Sequence, residues 1–279
     1  MKYLVLGSSG VVGRALVEYL TLQNHEVLEF DIANGIEQDL LVFNNALLSK
    51  LMSQADFVFF LAWDVGGSVY LSKYQNTYEF IDNNLRIIIN SFEMLKYYKK
   101  PFIFTSSQMS NMTHSSYGLT KAIGEKLTDI LGGITVKFWN VYGFETDLTK
   151  SHVITDFILK ARDWHVIDMM TDGTEQRQML YSSDCVECLY ELSKHYTELP
   201  RDREYHITSF EWTSIREIAE TIAEYYGDIS IIPSSNKDAG QKDKRNEPDK
   251  FILNYWAPKV SIKEGILKVI KRLDNAKNY

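Results

Sequence analysis

Apolar runs of strand length alternate with helical segments from the first residues of this chain. The runs read KYLVLG, HEVLEFD, DFVFFLAW, PFIFTSS and ITVKFWNVYG, and the longest helix predicted between them extends from about Thr77 to Tyr98. Runs that are apolar on both faces are typical of a parallel sheet covered by helices on each side. The pattern therefore predicts an α/β fold with a doubly wound parallel sheet, which reaches about six strands by Val141.

The alternation becomes less regular after Gly143. Four further helices are predicted in this part, near residues 152–162, 183–194, 214–226 and 261–273, with short strand-like segments between them. We expect residues 1–145 to form the sheet domain, which also receives a segment near 177–210. The remainder of 146–279 is expected to form mainly a smaller C-terminal substrate-binding lobe, whose loops close over the carboxyl edge of the sheet.

Composition excludes several classes of protein. Apolar residues make up 45% of the 279 positions, and the net charge of −7 is spread along the chain without a dense basic cluster. Such a chain can bury a large core and is not expected to bind nucleic acid. Because no apolar run reaches about 18 residues and the N-terminus lacks a signal-peptide pattern, we expect a cytoplasmic protein with no membrane partner.

Cys185 and Cys188 form a C-x-x-C within a predicted helix. A redox pair normally opens a helix, so these two thiols are expected to pack as small apolar residues. One pair also supplies too few ligands for structural zinc, and no metal site is predicted.

The first apolar run leads directly into GSSGVVG, which places Gly7, Gly10 and Gly13 at intervals of three at the start of a helix. A turn without β-carbons lets backbone N–H groups and the helix N-terminus approach a pyrophosphate closely. Asp31 ends the second run, where a carboxylate accepts hydrogen bonds from a free ribose hydroxyl and repels a 2′-phosphate. The pattern predicts a dinucleotide site of the Rossmann type and favours NAD over NADP. Arg14 is the one nearby cation that would act against this preference if it folded back.

The segment at Asp39 and Leu40 allows two interpretations. It ends a short third strand, from which a side chain reaches the adenine, or Asp39 begins a helix. Both residues are retained as candidate cofactor contacts.

Taken together, these motifs resemble the extended short-chain dehydrogenase/reductase family, in its nucleotide-sugar epimerase, dehydratase and reductase branch. GSSGVVG resembles the glycine motif, FLAW the segment near the nicotinamide ribose, FTSS the strand of the catalytic serine, YGLTKAIGE the Y-x-x-x-K helix, and KFWNVYG the R-x-x-N-x-Y-G motif. DGTEQRQMLYSSDCVE and WAPKVSIKEGI resemble two later motifs. The resemblance therefore extends over nearly the whole chain.

The resemblance implies that Ser107, Tyr117 and Lys121 are catalytic. Positions i and i+4 of a helix share a face, so Tyr117 and Lys121 point the same way. The ammonium of Lys121 and a positive nicotinamide ring would favour the phenolate of Tyr117, which takes the proton of a sugar hydroxyl as hydride leaves the adjoining carbon. Ser107 would orient the reacting oxygen, and Lys121 would also hold the nicotinamide ribose.

Neighbouring hydroxyl groups compete for two of these positions. Thr105, Ser106 and Ser107 all lie on the same predicted strand, and alignment with the family pattern selects Ser107. Either Ser115 or Ser116 is expected to cap the helix that carries Tyr117.

The resemblance also implies two sets of binding residues. The cofactor set comprises Gly7, Gly10, Val11, Val12, Gly13, Asp31, Asp39, Leu40, Leu61, Ala62, Trp63, Thr105, Tyr117 and Lys121. The substrate set comprises Asn84, Ser107, Gln108, Asn140, Arg177 and Arg245. Asn84 resembles the helix asparagine that supports the active site, and the two arginines suit a diphosphate because a guanidinium is a planar, bidentate donor. Two simpler roles remain open: Asn140 holds a turn at a strand end, and Arg245 is a solvated charge.

Two features depart from the family. Gln108 and Met109 occupy the place where 4,6-dehydratases carry an Asp-Glu pair, and neither is an acid or a base at neutral pH, which disfavours 4,6-dehydration. WDVGG resembles the A-x-x-x-G-G of enzymes that act on GDP-sugars, with Trp63 in place of a small residue.

The prediction is an NAD-dependent nucleotide-sugar epimerase that acts by hydride transfer at a sugar carbinol, at C4. A one-way nucleotide-sugar 4-dehydrogenase or 4-keto reductase is the alternative within the family. A non-catalytic NAD-binding regulator is the alternative outside it. By resemblance, helix 77–98 and the helix after Tyr117 are expected to form the four-helix interface of a homodimer.

Overall fold

A computed structural model of the protein describes residues 1–112, 114–236 and 247–276. Its strands are, in chain order, β1 (Lys2–Leu6), β2 (Glu26–Phe30), β3 (Phe57–Phe60), β4 (Phe102–Ser107), β5 (Ile134–Phe138), β6 (Asn140–Tyr142), β7 (Val166–Asp168), β8 (Gln176–Arg177), β9 (Met179–Tyr181), β10 (Tyr205–Ile207), β11 (Thr213–Ser214) and β12 (Ser230–Ile232). Its α-helices are α1 (Val11–Leu22), α2 (Ala46–Gln54), α3 (Ser68–Tyr74), α4 (Tyr78–Tyr98), α5 (Ser116–Leu131), α6 (Val153–Trp164), α7 (Ser182–Lys194), α8 (Ile215–Tyr226) and α9 (Ile262–Ala276). Short 3-10 helices cover Ile32–Asn34, Ile36–Gln38, Gln108–Asn111, Leu148–Lys150 and Phe251–Asn254.

Six strands form one parallel sheet in the spatial order β10, β5, β4, β3, β1, β2. From β1 the chain proceeds to β2 on one side and then through β3, β4 and β5 on the other. The sheet is therefore doubly wound, with its switch point between β1 and β3, and the predicted α/β fold class is confirmed. In such sheets ligands bind beyond the carboxyl ends of the strands at the switch point.

The sheet is buried on both faces, which explains the continuous apolar runs. Tyr3 and Val5 pack on one face with side chains of α1 and α7. Leu4 and Leu6 point to the other face and pack with side chains of α2 and α4. Successive residues of a strand point to opposite faces, so each residue of β1 meets a helical layer.

The sixth strand of this sheet comes from a later part of the chain than predicted. Asn140–Tyr142 forms β6, which leaves the sheet and pairs with β9 in a separate two-stranded sheet. The edge position beside β5 is taken by β10, and the backbone N–H of Trp139 donates to the carbonyl of Ile207 where the chain turns away.

The expected strand at Asp39 and Leu40 is wrong. Ile36–Gln38 is a 3-10 helix, and Asp39 follows it as an irregular residue. Side chains satisfy the backbone there: the Asp39 carboxylate accepts from the N–H of Leu41, and the Asn45 amide donates to the carbonyls of Glu37 and Asp39. Such local hydrogen bonds replace the ladder that a strand would need.

A second core holds the C-terminal part together. It contains Ile158 of α6, Ile218 of α8 and Ile270 of α9, all without exposed surface. A carboxylate oxygen of buried Asp184, on α7, accepts from the backbone N–H groups of Lys259 and Val260 at 2.7 and 2.8 Å. This contact fixes the segment before α9 against the helix that covers the sheet. We keep the division into a sheet domain and a smaller lobe as a proposal.

Cys185 and Cys188 lie in α7 and are fully buried in the core beneath the sheet. Burial raises the pKa of both thiols well above the ordinary value. The expectation that they pack as small apolar residues is confirmed. Among the helices of the described ranges, none has the length and apolar character needed to cross a membrane.

Candidate active site

The glycine turn meets the end of β3 at the switch point. Gly7 has a φ of +86°, and a β-carbon there would lie 2.6 Å from the backbone nitrogen of Ala62. A β-carbon on Gly13 would lie 1.9 Å from the carbonyl oxygen of Gly7. On Gly10 it would meet only that oxygen, at the ordinary distance of 3.6 Å. Packing within the protein therefore requires glycine at positions 7 and 13. At position 10 the protein itself leaves room for a β-carbon.

A cavity of about 710 Å³ lies at this point, within the usual size range of ligand sites. The structure brings all the expected cofactor residues to its wall: Gly7, Gly10, Val11, Val12, Gly13, Asp31, Asp39, Leu40, Leu61, Ala62, Trp63, Thr105, Tyr117 and Lys121. The cavity begins at the N-terminus of α1 and ends beside the proposed catalytic residues. A cradle of glycine backbone beside a helix N-terminus fits the pyrophosphate of a dinucleotide.

The Asp31 carboxylate is fixed at the end of β2. Its oxygens accept from the backbone N–H groups of Ser9, at 3.0 Å, and Ala33, at 2.9 Å. Arg14 does fold back over the glycine turn, where its guanidinium donates to the carbonyl of Ser9 and to the hydroxyl of Thr146. The carboxylate and this guanidinium both line the cavity.

Ser107 and Tyr117 are brought together by two adjoining turns. Ser107 ends β4, and its hydroxyl accepts from the N–H of Met109 at 3.1 Å. Ser115 is the cap of α5, with its hydroxyl accepting from the N–H of Gly118 at 3.2 Å. A β-carbon on Gly118 would lie 2.1 Å from the carbonyl oxygen of Met109, so the two turns are in direct contact. The side chains of Ser107 and Tyr117 both line the cavity, and the nearby Ser107 hydroxyl lowers the pKa of Tyr117.

The two hydroxyls that compete with Ser107 have other partners. The Thr105 hydroxyl donates to the carbonyl of Phe60 at 3.0 Å, and Ser106 donates to the carboxylate of Glu125. Of these three side chains, Ser107 is the one that lowers the pKa of Tyr117.

Lys121 is one turn further along α5 and is 3% exposed. Its Nζ donates to the carbonyl of Thr105 at 2.7 Å and lies 3.7 Å from the centroid of the Trp63 ring. Burial lowers the pKa of Lys121 well below the ordinary value, and the charge of Glu125 opposes this shift. An ammonium without an adjacent carboxylate is costly to bury, so the charged form of Lys121 lowers the stability of the fold.

Burial also governs Tyr117. It raises the pKa of the phenol to about 12, and the nearby Ser107 hydroxyl acts in the opposite direction. The Lys121 Nζ lies 6.0 Å from the centroid of the Tyr117 ring and is not among the groups that shift this pKa. The raised pKa keeps the phenol protonated at neutral pH.

A second buried lysine provides a contrast. Lys137 of β5 has a side chain that is 2% exposed, and its Nζ lies 2.7 Å from a carboxylate oxygen of Glu204 and 3.6 Å from one of Glu125. Glu204 also contacts His206, whose other ring nitrogen accepts from the indole N–H of Trp139. This lysine is compensated by two carboxylates, as buried charges usually are.

The expected substrate residues are more dispersed. Asn84 is fully buried, and its amide bonds to both the N–H and the carbonyl of Asp64, so a substrate contact is not available to it in this arrangement. Asn140 donates to the carbonyl of Gln178 at 3.4 Å, and Arg177 lies in β8 and donates to the carbonyl of Gln176. None of the three lines the main cavity.

Gln108 lines a smaller cavity of about 280 Å³, which shares Trp139 with the main cavity. Its side chain is buried, and its Oε1 has no hydrogen-bond partner in the described part of the chain. Arg245 lies outside the described residues.

Two polar clusters of the main cavity were not anticipated. The Asp64 carboxylate accepts from the hydroxyl of Tyr70 at 2.7 Å and from the Nζ of Lys150 at 2.9 Å. His152 and Glu145 contact each other at 2.5 Å. Tyr70 lies on the short helix α3 and Lys150 ends a 3-10 helix, whereas the other three residues lie in irregular segments. No periodic pattern marks them, although WDVGG is a recognisable motif that contains Asp64. Within the ranges described, no group of three or more His, Cys, Asp or Glu side chains is arranged to hold a metal.

Substitution of two glycines by alanine separates packing from ligand approach. We expect Gly13→Ala to lower the free energy of unfolding by about 1–3 kcal/mol, because its β-carbon overlaps the Gly7 carbonyl. Gly10→Ala should leave stability within about 0.5 kcal/mol and weaken NAD binding at least tenfold, because its β-carbon points into the space of the ligand. Thermal unfolding and calorimetric titration with NAD measure the two effects. Undiminished NAD affinity in Gly10→Ala would contradict the assignment of this cradle.

The two buried lysines should respond oppositely to replacement by methionine. The folded-state pKa of Lys121 lies below the unfolded value, so its charge opposes folding at neutral pH and this penalty fades as the pH rises. We expect Lys121→Met to raise the free energy of unfolding at pH 7 by about 1–2 kcal/mol, with a smaller gain at pH 9. Lys137→Met removes the partner of two carboxylates and should cost about 3 kcal/mol. Urea unfolding at both pH values measures this, and destabilisation by Lys121→Met would refute the assignment of an uncompensated charge.

Comparison with known proteins agrees with this geometry. The model of the NAD-dependent epimerase/dehydratase family matches residues 3–208. GDP-L-fucose synthase of Sinorhizobium fredii is 25% identical over 95% of this chain and 92% of its own length. UDP-glucuronic acid decarboxylase 1 of Arabidopsis thaliana is 24% identical over 99% of this chain and 70% of its own length.

A solved structure shows the same fold. UDP-glucose 4-epimerase of Thermotoga maritima, determined with UDP-glucose, superposes with a TM-score of 0.80 at 18% identity, covering 99% of this chain and 100% of that one. The family match covers well over half of the sequence and includes the glycine turn, Ser107, Tyr117 and Lys121. The chain belongs to the NAD-dependent epimerase/dehydratase family, as an enzyme of the extended short-chain dehydrogenase/reductase type with NAD as its cofactor.

Proposed function

We propose that this enzyme is a nucleotide-sugar epimerase that oxidises and reduces one sugar carbinol, at C4. The observation that carries the proposal is that Ser107, Tyr117 and buried Lys121 all line one end of the NAD cavity. Bound NAD supplies the hydride acceptor and donor of such a reaction. A hydroxyl pair and a lysine at this place supply the means to move and hold one proton.

The chain's own residues divide this work. Ser107 is fixed by the N–H of Met109, so its hydroxyl is oriented before the substrate arrives. In our proposal it hydrogen-bonds the oxygen of the carbinol, while Tyr117 takes the proton of that oxygen and later returns it. The pKa of about 12 suits the return step, because a phenol at neutral pH is ready to donate. Lys121 provides positive charge that favours the phenolate once the site is closed to water.

A nucleoside-diphosphate sugar is the proposed substrate class. The structure of the Thermotoga maritima enzyme, which has the same fold, was determined with UDP-glucose. GDP-L-fucose synthase is a relative over nearly the whole chain. GDP-sugars are the first to test, because the WDVGG stretch also resembles enzymes that act on them. The sugar is proposed to lie beyond Ser107 towards the smaller cavity, where the unpaired Oε1 of Gln108 would accept from a hydroxyl. Arg177 remains a proposed diphosphate contact.

Turnover of a panel of sugars tests the reaction class. The purified protein is incubated separately with UDP-, GDP-, CDP- and dTDP-sugars while absorbance at 340 nm and the products are recorded. An epimerase yields an isomer without net change in absorbance, whereas a one-way 4-dehydrogenase or 4-keto reductase accumulates or consumes reduced cofactor. Absence of binding and turnover with every sugar would overturn the proposal and favour a non-catalytic NAD-binding regulator.

Replacement of Tyr117 by phenylalanine removes the hydroxyl that moves the proton. We expect Tyr117→Phe to lower kcat by about 10²- to 10⁴-fold and to leave NAD affinity within twofold, because the ring and the cavity wall remain. Tyr225→Phe, at an exposed position of α8, is the matched control and should turn over like the unsubstituted enzyme. Full turnover by Tyr117→Phe on the sugar identified in the panel would refute the mechanism.

A homodimer through α4 and α5 is the proposed assembly. The two helices pack side by side and expose large apolar side chains, including Tyr78 and Ile89 on α4 and Leu119 and Ile130 on α5. Leu119 and Ile130 are eleven residues apart, which places them on one face of their helix. A second copy of the chain would cover the exposed apolar side chains of both helices in a bundle of four helices.

Charged residues placed among the exposed apolar side chains of α4 and α5 should dissociate the dimer. We expect the double variant Ile89→Glu/Ile130→Glu to sediment as a monomer at 10 µM, where the unsubstituted chain sediments as a dimer. Leu22→Glu, at an equally exposed apolar position on α1, is the control and should remain dimeric. A monomeric unsubstituted chain at this concentration would rule out the proposed interface.

A further inference from the structure

Trp63 stands where the resembling enzymes carry a small residue. It lies three residues after β3, which ends at Phe60, and its side chain lines the NAD cavity. The indole ring packs against Phe104, with ring centroids 5.9 Å apart. A side chain of this size at the switch point must contact whatever else lies there.

The contact that it makes is with the ammonium of Lys121. The Lys121 Nζ lies 3.7 Å from the centroid of the Trp63 ring and 5.3 Å from that of Phe104. The carbonyl of Thr105 accepts one of its three N–H groups. Tryptophan is the aromatic side chain that attracts a cation most strongly, and the attraction grows when water is excluded.

The indole nitrogen of Trp63 indicates that this contact has a cost. Nε1 is buried and has no hydrogen-bond partner among the described residues. An unpaired buried N–H is unfavourable, because it gives up a hydrogen bond to water. The ring is thus placed with its face against the ammonium, although this leaves the indole N–H unpaired. Such a placement is expected if the ring face stabilises a buried cation.

We propose that Trp63 is a positioning residue for Lys121, whose ring face holds the buried ammonium beside the Thr105 carbonyl and stabilises its charged form. The proposal deepens the proposed function, because it rests on Lys121 as the charge that favours the phenolate. It explains how this chain keeps that charge without a carboxylate against it. In the unsubstituted enzyme the ring takes part of the role that water or an acidic side chain has elsewhere.

The other groups that face this ammonium are few. On α5, Tyr117 lies one turn before Lys121, and Glu125 one turn after it; Glu125 favours the charged form. Glu125 is itself engaged by the Ser106 hydroxyl and lies near Lys137. The phenol of Tyr117 titrates at about 12 and stays neutral over the range in which the lysine is measured.

Fluorine NMR of the whole chain labelled with 5-fluorotryptophan tests the proposal without substrate. The Trp63 resonance, assigned by its loss in Trp63→Phe, should shift between pH 5 and 10 with a single midpoint, because the ammonium above the ring loses its proton. That shift should vanish in Lys121→Met. Exposed Trp164, on α6, provides the internal control and should not follow this midpoint. A Trp63 resonance that is insensitive to pH, or that titrates equally in Lys121→Met, would overturn the proposal.

A second measurement varies the ring and keeps its shape. Fluorine atoms weaken the negative face of an indole, so chains labelled with one, two and four fluorines per ring should show progressively lower midpoints. The total decrease expected is about one pH unit, which corresponds to a cation–π contribution of about 1.4 kcal/mol. The Trp63 resonance is assigned separately from those of the other tryptophans, so the series reports on this contact. A midpoint independent of fluorine content would refute the role of the ring face, while the outcome of the sugar panel would stand separately.

Discussion

The close approach of backbone to backbone at the switch point is the constraint on which the site depends. Gly7 lies against Ala62, and Gly13 lies against the carbonyl of Gly7, at distances that leave no room for a β-carbon. These contacts bring the first turn of α1, the end of β2 and the end of β3 to one wall. The cavity exists because side chains are absent there, and the same absence exposes the N–H groups that suit a pyrophosphate.

Much of this arrangement is readable from the sequence. The glycine spacing, Asp31 and the i, i+4 pair of Tyr117 and Lys121 depend on local geometry, and all of them line the cavity. The strands of the sheet core were readable because a strand buried on both faces is apolar throughout. Side-chain and backbone hydrogen bonds around Asp39 were not readable, because nothing in the order of residues says that a loop will satisfy its own backbone.

Other features depend on contacts between distant parts of the chain. Asn84 reaches Asp64 through tertiary packing, and its position on a helix gives no sign that its amide is fully used. Trp63 was visible as a departure from a small residue, but its contact with Lys121 requires the segment after β3 to meet α5, which packs on the neighbouring strand β4. The pKa of Tyr117 depends on burial, which a motif does not report. The motifs thus identified the residues of the candidate site, whereas tertiary packing sets their burial and their pKa values.

The origin of the edge strand has a consequence for how the chain assembles. β5 ends at Phe138, and its neighbour β10 begins only at Tyr205, so the sheet stays incomplete while the intervening residues are synthesised and packed. Glu204, the nearer of the two carboxylates that pair with Lys137, also lies in this later part of the chain. Without this later segment, β5 would be an open edge strand and Lys137 would lack its nearer carboxylate. Strand pairing and charge pairing at this edge therefore depend on the same part of the chain.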